Sequence, residues 1–296
     1  MITGQRQEII DKSLFEASIE SRVSKIPSII IEPSKRWLNL DLLSIWNYRE
    51  LLYFLALRDI QIRYKQTLIG IVWVLLQPIL TTIVFSVLFS SIGQGTAQDI
   101  PYPLFAFSGF TIWTFFNAAI FNSSNSLINH TGLITKVFFP RLIIPISAVG
   151  AILLDLFFGL LSLLVVMLIY HAKPNWTVVF APFFLFIILL LALGLGILLS
   201  AVSVRYRDVK YILPFALQLW LFVSPVFYSL KVLPEKAVWL WKLNPIAGAL
   251  DGFRAALFGQ EFDAYGIIAS IVISVIIFLF AVYVFHRMED GFADVI

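Results

Sequence analysis

Three basic side chains, Arg58, Arg63 and Lys65, stand close together in "LALRDIQIRYKQTLIGIVWVLLQPIL" (55–80), just ahead of a long apolar run. Guanidinium groups grip phosphate with two parallel hydrogen bonds, and an ammonium binds it as a point charge. Such a collar suits an anionic headgroup presented at a membrane surface. The same charges also suit the positive flank of an ordinary membrane anchor, and the sequence leaves both readings open. A secretory signal is excluded, because the stretch begins more than fifty residues in, follows a polar segment and has no small-residue cleavage pattern. One acid, Asp155 in "AILLDLFFGLL", lies deep in an apolar run. An ionisable group at that depth is a functional candidate by default. Ion-coupled carriage, however, needs several such groups facing one another, so a lone Asp fits hydrogen bonding between helices better.

Other chemistry is missing from the chain. No GxxxxGK[ST] motif supplies a phosphate-cradling loop, no GxSxG elbow presents a serine, and no paired-carboxylate motif stands within reach. With no cysteine, disulfides, thiolate metal sites and a cysteine nucleophile are excluded. The three histidines have no HxxxH-type spacing, so no metal is expected. The sequence therefore predicts no catalytic residue and no cofactor bound by this chain.

The elements that must position these residues are membrane helices. Of the 296 residues, 60% are hydrophobic and 13% charged, against about 25% charged in soluble domains. A hydrocarbon core of ~30 Å needs about 20 apolar residues at 1.5 Å each. Six runs qualify, at about 68–91, 104–126, 141–170, 176–204, 211–228 and 267–285, the fifth broken by Pro214 and Pro225. The fold class is an all-α polytopic membrane protein with six transmembrane helices. Residues 1–45 read as a polar cytoplasmic arm, 46–67 as a cytoplasmic amphipathic interface helix (an imperfect stripe that a helix buried against the bundle fits nearly as well), 68–286 as the membrane domain and 287–296 as a tail. Sixteen Lys and Arg fall on the side of the termini and five on the other, Arg254 among the five. The positive-inside rule then puts both termini in the cytoplasm.

Helical spacing aligns Gly70, Trp73, Gln77 and Thr81 on one face of the first span. It aligns Tyr211, Phe215, Gln218, Phe222 and Pro225 on the fifth. Trp113, Phe116, Asn117 and Ser124 give the second a mixed aromatic and polar side. Tyr228 and Trp239 extend this candidate lining. Rings pack on the C–H faces of sugars while amides and hydroxyls bond their hydroxyl groups, so the faces suit a glycan path; packing between helices explains the rings equally well. Two segments break the hairpin pattern. Residues 229–264 hold apolar stretches too short to cross, and read either as re-entrant helices or as a folded outer loop anchored by Trp239 and Trp241. The link "NHTGLITKVFFPR" (129–141) predicts a short helix capped by Asn129 or Thr131 and stopped by Pro140. In "SVRYRDV", Arg205, Arg207 and Asp208 form either a salt-bridged turn or part of the substrate edge.

"YRELLYFLALRDIQIRYKQTLIGIVWVLLQP", "LITKVFFPRLIIP", "SVRYRDVKYILPFALQLWLFVSPVFY" and "LNPIAGALDGFR" together resemble the membrane subunit of type-2 ABC exporters of polysaccharide and polyol phosphate, from about Trp46 to the C terminus. The resemblance implies a permease subunit in the plasma (inner) membrane, paired as a homodimer around a channel. Two copies of a separate ABC ATPase, carrying ATP and Mg, would drive it. Its substrate would be a polyprenyl-pyrophosphate-linked glycan, with Arg58, Arg63 and Lys65 at the headgroup. It implies a coupling helix over 129–140, with Asn129, His130, Thr131, Gly132, Leu133, Ile134, Lys136, Phe139, Pro140 and Arg141 facing the ATPase. The long arm favours O-antigen; teichoic acid and capsule exporters share the motifs. An ATPase-independent secondary transporter or lipid flippase is a more distant alternative. A membrane glycosyltransferase would need acids that only Asp59 and Asp208 supply, each beside an arginine. A purely structural assembly factor fits poorly with the polar faces inside several spans. Besides membrane lipid no further partner is implied, and no nucleic acid.

Overall fold

The computed structural model describes residues 42–65, 70–93, 100–173, 175–229, 241, 243–289 and 291–292. The polar arm over 1–41, Trp239 and most of the 230–242 segment lie outside them. The described secondary structure is helical: α1 (Leu42–Asn47), α2 (Arg49–Tyr64), α3 (Gly70–Gly93), α4 (Tyr102–Asn129), α5 (Thr131–Ile134) and α6 (Ile143–Ile169) come first. A 3-10 turn (Trp176–Phe180) then leads into α7 (Ala181–Arg205), followed by α8 (Val209–Val223), α9 (Pro245–Phe258) and α10 (Ala264–Glu289).

Among the described residues, four helices are long and apolar enough to cross a membrane: Tyr102–Asn129, Ile143–Ile169, Trp176–Arg205 and Ala264–Glu289. Two shorter apolar stretches, Leu75–Leu88 in α3 and Val209–Val223, accompany them. Polarity decides which long helix goes to the centre. The best apolar window of α4 has a mean hydropathy of 1.6 and is 78% buried, whereas α6 and α10 reach 2.8 and 3.0 and are 28% and 22% buried. Lipid offers no partner to the hydroxyls of Ser108, Ser123, Ser124 and Ser126, so α4 is wrapped by α3, α6, α7 and α8. Helices with apolar surfaces all round can face lipid.

The fifth run departs from its predicted extent. It is helical only to Val223, about 22 Å at 1.5 Å per residue, and Ser224–Tyr228 turns out of the helix. Pro225 is the cause: a residue preceding proline is pushed from the helical into the extended region, and Ser224 sits at φ −101°, ψ 145°. Within the 229–264 segment, α9 starts at Asn244, whose side chain accepts from the Ile246 N–H at 3.3 Å, with Pro245 as its first residue. It stops at Gly259, whose φ of 68° favours glycine. α9 is buried along most of its length against α7 and α10.

The α4–α6, α7–α8 and C-terminal ends of the bundle carry Lys136, Arg141, Arg205, Arg207, Lys210 and Arg287. At this basic end Leu55 of α2 joins Leu127, Phe139, Ile143, Ile197 and Phe285 in one apolar cluster. α2 packs along α6 and leaves Tyr53 and Phe54 exposed away from it.

Candidate functional site

α2 puts Arg58, Asp59, Ile62 and Arg63 on one face by steps of three and four. Because Leu55 anchors α2 to the basic-end cluster, that face meets the ends of α4 and α6 across a cleft of about 550 Å³. Asn122, Ser126, Asn129 and His130 form the polar wall, and Ala148, Ala151 and Ile152 of α6 form an apolar one. Two of the three basic side chains singled out from sequence therefore share one site. Lys65 does not line it: the residue closes α2, its N–H donating to the Gln61 carbonyl at 2.9 Å.

Each arginine has a distinct protein partner. Arg63 donates from Nη1 to the Asp155 carboxylate, and the Tyr64 hydroxyl donates to the other carboxylate oxygen. This resolves the lone membrane acid: Asp155 joins α6 to the end of α2. Burial and the adjoining Asp155 push the Tyr64 phenol well above its ordinary value, so it remains a donor at physiological pH. Arg58 donates from Nη2 to Asp59 Oδ1 at 3.1 Å and to His130 Nε2. His130 Nδ1 lies 2.7 Å from the Ser126 carbonyl. A carbonyl only accepts, so the network assigns the proton to Nδ1 and leaves the Nε2 lone pair for Arg58. Both bonds that Arg58 makes among the described residues leave from one nitrogen. Its other N–H groups have no protein partner there, and a guanidinium carries five in a planar fork. The site can thus offer donors to an anion, with a carboxylate beside each arginine: Asp59, on the cleft wall, at Arg58, and Asp155, on α6, at Arg63.

The remaining predicted residues divide. Tyr211, Phe215, Gln218 and Phe222 form an exposed face of α8, while Leu213 and Leu217 point into the core. Trp73 and Gln77 are exposed on α3, with Thr81 half-buried and Asn117 half-buried on α4. Trp113 and Phe116 are corrected: they lie in the chain's own core, where Phe116 meets Trp220 edge-on at 5.4 Å, and present no surface to a path. Pro225 is buried too, drawn in where the helix breaks. Tyr228 is half-buried; its hydroxyl accepts from Trp241 at 2.7 Å and donates to the Phe222 carbonyl at 3.0 Å.

The predicted helix over 129–140 is a single turn, α5. Asn129 ends α4 and does not cap α5; His130 occupies the cap position without a side-chain bond to the helix, and Thr131 donates backward to the Ile128 carbonyl at 2.7 Å. Ile134 and Phe139 are buried in the basic-end cluster. Arg141 lies against the end of α10, donating to the Glu289 carbonyl from its side chain and to Glu289 Oε1 from its backbone N–H at 3.2 Å. Exposed on the turn are Gly132, Thr135, Lys136, Val137 and Phe138, the last at 74%. Leu133 and Pro140 are half-buried. Among the described residues Arg205, Arg207 and Asp208 form no ion pair with one another, against the salt-bridged reading; Arg205 lies over the Tyr206 ring at 5.9 Å.

Sequence reasoning missed Arg254. Counted as a loop charge, it is 1% exposed. It donates to the Pro225, Phe105 and Val226 carbonyls and to Ser108 Oγ, and stacks on the Phe105 ring at 3.7 Å. Its neighbours on α9 gave a signal: Ala247, Gly248, Ala249, Leu250, Gly252 and Phe253 are a core-like surround for a charge. Asp59, Asn122 and Ser126 also went unselected, because their cleft forms only when α2 docks.

Residues 50–258 match the family model described as ABC-2 type transporter. The chain is 30% identical over 254 residues to the O-antigen export system permease protein RfbA of Myxococcus xanthus, covering 84% of this chain and 96% of that protein. It is 23% identical over 252 residues to the protein of the same name from Klebsiella pneumoniae, covering 83% and 95%. It is 24% identical over 209 residues to the polysialic acid transport protein KpsM of Escherichia coli, covering 69% and 79%.

Proposed function

The chain belongs to the ABC-2 type transporter family, and from that membership we propose that it is the channel-forming subunit of an exporter of lipid-linked polysaccharide, with O-antigen on a polyprenyl pyrophosphate as the favoured cargo. The permease names of its relatives support the cargo class. The observation that carries the mechanism is the cleft at the basic end, where Arg58 and Arg63 stand together beside amide and hydroxyl groups. A pyrophosphate needs clustered N–H donors, and its prenyl tail needs an apolar flank, which the Ala148, Ala151 and Ile152 wall and the exposed apolar side of α2 would supply.

A single copy leaves the amides of Gln77 and Gln218 exposed on two mainly apolar helices. Lipid would leave both amides unpaired. Two copies facing one another across α3 and α8 would enclose these amides with Trp73, Thr81, Tyr211, Phe215 and Phe222 around a glycan path. The chain has no P-loop motif, so ATP and Mg would sit on two copies of a separate ATPase. The exposed 132–138 turn, with Lys136 and Phe138 at its tip, is the surface offered to it. Six crossings, a re-entrant α9, cytoplasmic termini and an inner-membrane location complete the reading. A capsule exporter of the same architecture is the second reading, supported by 22% identity over 216 residues to the capsule polysaccharide export inner-membrane protein CtrC of Neisseria meningitidis.

Deletion of the chain should accumulate a lipid-linked glycan in the cytoplasmic leaflet, and mass spectrometry of that species identifies the cargo. Arg58→Glu should abolish export while the copies still pair and still bind the ATPase on co-purification. Export at the wild-type rate would remove the headgroup role.

A further inference from the structure

The cleft and the exposed turn share one residue. His130 lies between the last residue of α4 and the first of α5, and its ring lines the cleft. Its backbone carbonyl accepts from the N–H groups of Leu133 at 2.9 Å and Ile134 at 3.2 Å, the bonds that form α5. Its side chain meanwhile bridges two other helices, through Nδ1 to the Ser126 carbonyl of α4 and through Nε2 to Arg58 of α2. With both ring nitrogens committed to protein, His130 is not itself a donor toward a ligand.

We infer that His130 is the positioning residue that passes occupancy of the cleft to the 131–138 turn and so to the ATPase; this rests on the headgroup reading above. Arg58 is shared between Asp59 and the Nε2 nitrogen of His130, which itself lies 3.7 Å from Asp59 Oδ1. A phosphate oxygen is a stronger acceptor for a guanidinium than a neutral nitrogen is. When a pyrophosphate engages the unpartnered Nε and Nη1 groups of Arg58, the fork turns as one rigid plane toward the ligand, and Nη2 leaves Asp59 and Nε2 with it. The side chain of His130 is only 9% exposed, and a buried acceptor left without a donor is unfavourable. The ring therefore shifts until Nε2 finds water or another donor, and the carbonyl that starts α5 shifts with it. Two states result: Arg58 on His130 with the cleft empty, and Arg58 on phosphate with His130 released. The ligand biases them by the contacts that Arg58 exchanges, which is what coupling between sites requires. Reciprocity adds that an ATPase holding the turn in its released position tightens headgroup binding.

The test uses the full chain assembled with its ATPase in lipid nanodiscs and farnesyl pyrophosphate as the probe. Two quantities are read: probe binding, and the ratio of ATP turnover with and without probe. The wild-type complex should bind and be stimulated about fivefold or more, the lower range of ordinary coupling. In His130→Ala the ratio should fall to about one, while binding persists at the same or tighter affinity because Arg58 no longer leaves a partner. His130→Gln should recover stimulation, since its amide oxygen accepts from Arg58 and its nitrogen donates to the Ser126 carbonyl. A merely structural His130 would lower both turnover rates together and leave the ratio intact, which overturns the relay, as does full stimulation in His130→Ala. Binding without stimulation in the wild type also overturns the relay but leaves the headgroup site standing. No binding in the wild type overturns both.

Discussion

At the scale of single residues, charge in the interior does structural work before it does anything else. Asp155 holds Arg63 and Tyr64 at the end of α2, so it fixes where the cleft forms. Asp155→Asn keeps the shape and an acceptor for Tyr64 but leaves Arg63 without its carboxylate. Because Arg63 is partly exposed, water offsets some of the loss. The expected cost is about 1–2 kcal/mol, read as a lower melting temperature in detergent, with α2 becoming easier to cleave by protease than α10. Unchanged melting and cleavage would mean that α2 is held by Leu55 and its apolar neighbours alone. The residue types of this site were legible in the chain: two arginines before an apolar run and one acid inside another. Their pairing was not, because Arg63 and Asp155 are 92 positions apart and no local pattern links them. A separation of 72 positions likewise hid His130 from Arg58. Sequence spacing assigns residues to a face of one helix, and a cleft needs faces from three.

At the scale of elements, apolar run length located the long helices, and proline chemistry explains where the fifth run fails. What run length could not give is the order of burial. A polar-flecked span such as α4 goes to the centre for want of partners in lipid, so Trp113 and Phe116, read as a possible path, became core. The break after Val223 is held by α9. Arg254 binds the carbonyls of Pro225 and Val226 on the broken strand of chain and of Phe105 on α4, satisfying acceptors that a helix would otherwise have paired. Gly109 makes this approach possible: a Cβ there would overlap the Val226 carbonyl and the Arg254 guanidinium. Gly109→Ala should therefore cost about 1–3 kcal/mol by overpacking. Gly132→Ala is the matched control, since a Cβ there meets nothing within 4 Å, and it should leave the melting temperature level or slightly higher. Equal melting of the two variants would show that the elbow yields to accommodate a methyl group.

At the scale of the whole molecule, burial of Arg254 also changes the charge balance that orients the chain. The positive-inside rule counts charges in short loops near the ends of spans. A guanidinium closed inside the bundle is not a loop charge, so the sequence count expected for the side opposite the termini falls from five to four: Lys173, Lys231, Lys236 and Lys242. The basic end gains weight accordingly, and with it the proposal that the cleft and the 131–138 turn face the cytoplasm, where the proposed ATPase partner would bind. Because the chain has no cysteine, orientation is open to a direct measurement with single introduced thiols. Lys136 is exposed on the turn and Glu261 is exposed between α9 and α10 at the far end. In intact spheroplasts a membrane-impermeant maleimide should label Glu261→Cys and spare Lys136→Cys; after permeabilisation both should react. Labelling of Lys136→Cys in intact cells would turn the molecule over, placing the cleft outside and leaving the turn with no cytoplasmic ATPase to meet.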